Sequence, residues 1–259
     1  MSTSPVNDLK KGSFTTAGAA EVKRGAAVKT VQVVVDHKAA TRQAIIVAIR
    51  AEKVTFKTRS DWKATETAKS PDPDWDYVAA AIHHAGNSYS CSADGAASLR
   101  KAEATDIGSF GHLSYHYAID CAGVVYEALD IRFKGAHIEG GNTGVIGIVF
   151  LTDLSMPGEA EKYGPGAGNV AKKRGWYAGA KEWVGEVNDN NSSTPDKPTA
   201  AQLLAVKVLV TVLQKHFKIA RLGGHREFAK THGTSRACPG QYGMEIAQNL
   251  RTELKLAAP

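Results

Sequence analysis

Short apolar runs separated by polar segments predict strands at several places along the chain. Residues 30–35, 78–82 and 145–150 are rich in Val, Ile and Ala, and their short length favours buried β-strands. Residues 43–50 form a further apolar run, for which periodicity leaves a strand and a short helix both open. The chain therefore contains several candidate strands for one sheet.

Turn-rich segments lie between these runs. Residues 114–119 and 123–127 flank the turn sequence Asp-Cys-Ala-Gly, which predicts a β-hairpin. Residues 157–198 are rich in Gly, Asn, Asp and Pro and are longer than most internal loops, so we interpret them as a functional insertion or an ordered flap. Residues 1–28 show no apolar period and indicate a flexible arm.

A helical period marks the last quarter of the chain. Apolar residues between positions 199 and 217 recur every three or four positions, which predicts a helix with Thr199 as its N-cap. That stripe consists of Leu203, Val206, Val210, Leu213 and Phe217. Residues 241–256 predict a closing helix. The mixed order of strands and helices indicates an α/β (α+β) fold.

The composition is that of a globular protein, with 259 residues of which 43% are hydrophobic. No run approaches the ~20 apolar residues of a membrane-spanning helix, so we expect no transmembrane segment. The first thirty residues lack the apolar region of a secretory signal, and we expect no classical signal peptide.

The net charge of +6 is concentrated near the N terminus. Residues 1–70 hold 13 basic and 6 acidic side chains, whereas residues 71–259 hold 19 and 20. This basic stretch lacks a recognition motif and interleaved aromatic residues, which argues against a nucleic-acid partner. It favours attraction to an anionic cell envelope, or a solvated tail with no specific function.

Candidate metal ligands lie at three separate places. His83 and His84 end a predicted strand, and because adjacent strand residues face opposite sides, only one of them faces a given site. His225 follows two glycines, and Cys238 comes thirteen residues later before Pro-Gly. Imidazoles and a thiolate suit zinc, with a fourth position left for water in catalytic sites. Spacing alone leaves buried structural roles equally open.

Other reactive or aromatic residues have simpler expectations. Three cysteines are too few for a disulfide scaffold, so free thiols are the default for Cys91 and Cys121, with a disulfide between them as the alternative. We expect packing or structural roles for His84, His116 and Trp62. Trp176 and Trp183 either stack on sugar rings or pack in the interior.

Seven short segments occur in the order of one protein family. They are Thr58-Arg-Ser-Asp-Trp62, Ile82-His-His-Ala-Gly-Asn-Ser88, Ser114-Tyr-His-Tyr-Ala-Ile119, Gly135-Ala-His137, Asn142 before Ile146-Gly-Ile148, Gly224-His-Arg-Glu227 and Ala237-Cys-Pro-Gly240. Together they resemble the peptidoglycan recognition protein family, which includes the zinc-dependent N-acetylmuramoyl-L-alanine amidases (type 2 amidases). The resemblance covers about residues 56–254.

The resemblance implies a central mixed β-sheet flanked by helices, with a groove over one face. It implies that His83, His225 and Cys238 hold Zn²⁺. It further implies a catalytic position for Tyr115 and a groove-lining position for His137, which would orient the substrate or assist proton transfer to the leaving amine. We divide the chain into a basic extension at 1–55 and an amidase domain at 56–259.

Three departures from the family pattern concern the candidate site. Catalytic phage members carry a Lys two residues before the Cys, where this chain has Arg236. Another branch has a Glu after Ile-Gly-Ile, where this chain has Val149. We therefore expect catalysis to depend on Tyr115, with Arg236 as a second oxyanion donor. The interval between His225 and Cys238 is long for the family, and we expect His232 in that loop to be exposed rather than a ligand.

The predicted function is hydrolysis of the amide bond between N-acetylmuramic acid and L-alanine in peptidoglycan. The alternative is a module that binds peptidoglycan without cleaving it. We expect a monomer that is made in the cytoplasm and acts on the cell wall, in the periplasm or outside the cell. The candidate contexts are phage-type lysis, specialised secretion of an antibacterial effector, and recycling inside the cell. An effector would have an immunity or inhibitor protein as partner.

Overall fold

The computed structural model describes residues 14–16, 33–65, 70–86, 89–166, 169, 172 and 196–259. The helices are α1 (His37–Ala51), α2 (Gly95–Phe110), α3 (Glu159–Tyr163), α4 (Ala200–His216), α5 (His225–Thr231) and α6 (Gly240–Leu254). The strands are β1 (Phe14–Thr16), β2 (Val33–Val35), β3 (Phe56–Lys57), β4 (Ala79–His84), β5 (Tyr117–Ile119), β6 (Val125–Glu127), β7 (Val145–Phe150) and β8 (Arg221–Gly224). Within these residues no helix is long and apolar enough to span a bilayer.

Six strands form one mixed sheet in the order β3-β6-β5-β7-β4-β8. The β5–β6 hairpin is antiparallel, and every other neighbouring pair is parallel. Strands β1 and β2 pair separately and antiparallel. The predicted mixed sheet flanked by helices is therefore confirmed, as is the predicted hairpin.

The sheet is covered on both faces. One face packs against α1, α4 and α6 through residues such as Ile45, Leu209 and Leu250. The other face packs against α2 and the segment that contains Trp62. The central strands β4 and β7 are buried almost throughout, which explains why their sequences are apolar at consecutive positions.

Helix α4 begins where its sequence predicts. The Thr199 hydroxyl accepts the Gln202 N–H, while the Gln202 side chain accepts the Thr199 N–H, forming a capping box. One member of the predicted stripe differs, because Leu203 is 43% exposed. The buried stripe of the helix is centred instead on Val206, Leu209, Val210 and Leu213.

The apolar run at 43–50 lies in helix α1. Asp36 caps this helix by accepting the N–H groups of Lys38 and Ala39. Ile45, Ile46 and Ile49 pack in the same core as the sheet. Part of the predicted 1–55 extension thus packs in the same core as the predicted amidase domain.

Cys91 and Cys121 form a disulfide, so the default expectation of free thiols is wrong. The loop after β4 and the turn of the β5–β6 hairpin meet beside the start of α4, which brings the two Cα atoms within 5.3 Å. Cys238 is the free cysteine. The expected arm, apart from residues 14–16, and Trp176 and Trp183 of the expected insertion lie outside the described residues.

Candidate metal centre and active site

His83 and His225 meet because the strands that precede them are parallel neighbours. His83 lies at the carboxyl end of β4, and His225 begins α5 directly after β8. Ile82 is in register with Gly224, so the next residue of each strand lies at the same edge of the sheet. The two imidazole rings are 4.6 Å apart between centroids.

Cys238 completes a group of three side chains of types that are able to bind a metal ion. Its Sγ lies 3.6 Å from His83 Nδ1. The turn that carries it needs Gly240, whose φ is +76° and where a Cβ would lie 2.4 Å from the Leu154 carbonyl oxygen. One potential ligand atom from each of His83, His225 and Cys238 lies within 4.8 Å of the others.

This geometry fits zinc. Two ligands at usual zinc–nitrogen and zinc–sulfur distances in a tetrahedral site are about 3.5 Å apart, close to the 3.6 Å between His83 Nδ1 and Cys238 Sγ. Burial lowers the pKa of His83 well below its ordinary value and that of His225 to about 3, so both rings are neutral and able to bind a cation. Burial raises the pKa of the Cys238 thiol to about 12, and a bound cation would favour its thiolate.

Tyr115 lies beside this group. Its ring centroid is 4.9 Å from that of His83. Desolvation by burial raises the pKa of Tyr115 well above its ordinary value, so the hydroxyl keeps its proton at neutral pH. The preceding residue is fixed by Asp106 on α2, whose carboxylate accepts the Ser114 N–H at 2.8 Å. Asp106 was not among the sequence-predicted residues, and no local pattern marks it.

His137 lies against the Nε2 side of the His83 ring. It is 6% exposed, and its Nδ1 is 3.1 Å from His83 Nε2. Its Nε2 is 3.3 Å from the carbonyl oxygen of Val145. Both ring nitrogens therefore have partners inside the protein.

Arg236 lies two residues before Cys238 but is held by another residue. Its Nη2 donates to the Glu139 carboxylate at 2.7 Å, and its Nη1 donates to the Ser235 carbonyl. Glu139 was not predicted from the sequence. The expected oxyanion donor is therefore in an ion pair at the edge of the site.

Three further histidines have the structural roles expected of them. His84 faces away from His83, with its Nδ1 3.1 Å from the Leu154 amide nitrogen and 3.3 Å from the Asp153 carboxylate. His116 is fully buried and accepts the Gly147 N–H at 3.0 Å. His232 is exposed.

Trp62 also has the expected packing role. It is 1% exposed and donates its indole N–H to the Glu127 carbonyl oxygen. Its ring packs in the core on the α2 side of the sheet, together with Leu99 and Val149.

One family of known sequences matches the chain. The sequence model of a family described as N-acetylmuramoyl-L-alanine amidase matches residues 74–241. A search of curated protein sequences found no match.

Several solved structures share the fold. The Drosophila peptidoglycan recognition protein SD is 20% identical, with 75% of this chain and 94% of that chain covered and a TM-score of 0.54. Drosophila PGRP-LB is 19% identical over 79% of this chain and 96% of that chain, with a TM-score of 0.52. The endolysin amidase LysCS of Clostridium intestinale is 13% identical over 78% of this chain and 96% of that chain, with a TM-score of 0.52.

Proposed function

Because the chain belongs to the N-acetylmuramoyl-L-alanine amidase family, we propose that it is a zinc-dependent hydrolase of peptidoglycan. The bond cleaved is the amide that joins N-acetylmuramic acid to the L-alanine of the stem peptide. The observation that carries this proposal is the convergence of His83, His225 and Cys238, whose ligand atoms lie within 4.8 Å of one another.

His83, His225 and Cys238 would hold the zinc. Bound there, zinc supplies a Lewis acid for the amide carbonyl and an activated water as nucleophile. Three protein ligands leave the fourth position open, which is the arrangement of catalytic rather than structural zinc sites.

Tyr115 acts on the charge that develops during the reaction. Its ring lies next to His83 and its hydroxyl keeps its proton, so that hydroxyl is expected to donate a hydrogen bond to the carbonyl oxygen as that oxygen becomes negative. The same hydroxyl relays to the leaving amine the proton that the attacking water loses, so that it ends the step protonated. Arg236 provides a second donor once its guanidinium exchanges Glu139 for the substrate.

A peptidoglycan-binding module without activity is the second candidate. The ion pair between Arg236 and Glu139 favours it, because the side chain at the position of the family's catalytic lysine is engaged elsewhere. Cys238 favours the enzyme, because a binding module has no need of a third metal ligand.

One experiment separates the two candidates. The purified protein is assayed for zinc content and incubated with purified muropeptides, and the products are identified by mass spectrometry. The enzyme predicts one zinc per chain, stem peptides with a free L-alanine amine, and loss of both zinc and products in Cys238→Ala. Binding of muropeptides by the zinc-loaded protein without products would favour the module, and cleavage of another bond would overturn the proposed reaction.

The proposed site of action is the cell wall, outside the cytoplasm. The Cys91–Cys121 disulfide supports this, since disulfides persist in oxidising compartments and are rare in the cytosol. Delivery by phage-type lysis or by secretion as an antibacterial effector with a cognate immunity protein is part of the proposal.

A further inference from the structure

We propose that His137 is a positioning residue, which fixes the tautomer and ring orientation of His83 so that Nδ1 of His83 faces the metal position. This inference rests on the proposed zinc site.

The Val145 carbonyl determines which nitrogen of His137 carries the proton. A carbonyl oxygen can only accept a hydrogen bond, so the His137 nitrogen 3.3 Å from it, Nε2, must carry the proton. A neutral imidazole has one N–H, and therefore His137 Nδ1 has a free lone pair.

That lone pair determines the tautomer of His83. His83 Nε2 lies 3.1 Å from His137 Nδ1, so it donates its N–H there. The remaining nitrogen of His83, Nδ1, is then unprotonated, and it is the atom that lies 3.6 Å from Cys238 Sγ. The carbonyl, the two imidazoles and the thiol thus form one directed chain.

The opposite pair of tautomers is disfavoured by the contact with the Val145 carbonyl. If His83 carried its proton on Nδ1, His137 would have to donate from its own Nδ1. Its Nε2 lone pair would then face the Val145 oxygen, leaving two buried acceptors in contact. The same reversal would direct a proton, and not a lone pair, toward the metal position.

The surroundings of His137 hold its ring in this orientation. A Cβ at Gly135 or Gly147 would lie 2.6 Å or 2.7 Å from His137 Cδ2, so glycine at both positions leaves space for the ring. Asn142 Oδ1 accepts the N–H groups of His137 and Ile138, both at 2.8 Å. The close packing and the hydrogen bonds to the backbone thus hold the ring in one orientation.

The first test uses the unmodified, metal-free protein. Two-bond ¹⁵N–¹H correlation spectra of histidine side chains distinguish the two neutral tautomers. We expect both His83 and His137 to carry their protons on Nε2. A proton on Nδ1 of either ring would overturn the inference.

The second test compares two variants. His137→Leu removes the acceptor, whereas His137→Asn retains an acceptor at the position of Nδ1. We expect His137→Leu to bind zinc ~10–100-fold more weakly in chelator competition, and His137→Asn to recover most of that loss. The spectrum of the cobalt-substituted protein should differ from that of the wild type more in His137→Leu than in His137→Asn. His232→Leu, at an exposed histidine, serves as the control and should bind zinc as the wild type does.

The outcomes separate this inference from the proposed function. Zinc affinity in His137→Leu equal to that of the wild type, or an equal loss in both His137 variants while metal-free thermal stability is unchanged, would refute positioning by hydrogen bonding. Wild-type protein that binds no zinc would instead refute the metal site itself. If His137→Leu does not fold, the tautomer spectrum and His137→Asn decide.

Discussion

Arg236 and Glu139 form an ion pair that joins the loop after His137 to the turn before Cys238, with 2.7 Å between Nη2 and the carboxylate. Glu139 is the more exposed partner, at 54% of its side chain against 26% for Arg236. Because this ion pair is partly exposed, the Arg236 guanidinium can exchange Glu139 for an anionic group of the substrate.

Substitution of the two partners should have opposite effects. We expect Arg236→Ala to lower kcat by about 100-fold, because one donor to the developing oxyanion is removed. Glu139→Gln should leave kcat unchanged or raise it, because Arg236 no longer has a competing carboxylate. Muropeptide turnover, with zinc content measured alongside, checks both variants. An Arg236→Ala enzyme at the wild-type rate would remove this side chain from the mechanism.

Removal of the Tyr115 hydroxyl should lower the rate of the reaction and leave zinc affinity unchanged. Tyr115→Phe keeps the ring beside His83 but loses the hydrogen-bond donor. We expect kcat to fall by about 100-fold or more, with KM and zinc affinity little changed. The measurement is steady-state turnover of zinc-loaded protein. A loss of zinc in this variant would show that Tyr115 supports the metal site rather than the chemistry.

Local sequence patterns predict the elements that depend on local interactions. Strand β7 occupies the predicted residues 145–150, and Thr199 caps α4 as its position before an apolar stripe predicts. The 43–50 run was ambiguous because its helix depends partly on packing between α1 and the core. An apolar run alone does not specify that contact.

Sequence patterns predict only part of the candidate site, because its other contacts join residues that are distant in the chain. His83, His225 and Cys238 follow recognisable motifs, so the family resemblance brings them together. Glu139 contacts Arg236 across 97 positions of the chain, and no motif near it signals that contact. The pairing of Cys91 with Cys121 likewise depends on two loops meeting in space.

Burial of His116 makes the folded state sensitive to acid. Desolvation lowers the pKa of His116 to about 4, and its Nδ1 accepts the Gly147 N–H. Below the unfolded pKa of about 6.5, the unfolded chain binds a proton that the folded state excludes, so stability falls as pH falls. Between pH 7 and pH 5 this histidine alone accounts for about 2 kcal/mol.

Urea unfolding of the metal-free protein at the two pH values measures this effect. His116→Asn should lose less stability between pH 7 and pH 5 than the wild type. His232→Asn, at an exposed position, should lose as much as the wild type. Equal losses in all three proteins would contradict a buried, neutral His116.

The Cys91–Cys121 disulfide should stabilise the fold without taking part in the metal site. It closes a segment of 30 positions and joins the loop after β4 to the hairpin turn, where Thr199 donates to the Cys121 carbonyl. Restriction of the unfolded chain by a loop of this length is worth about 3–4 kcal/mol. The double variant Cys91→Ser, Cys121→Ser should lose about this much free energy of unfolding in urea, and reduced wild-type protein should match it. Zinc affinity should stay at the wild-type value, because Cys238 is the thiol that faces the two histidines. A large loss of zinc in the folded double variant would show that this covalent link also holds β4 and its histidine in place.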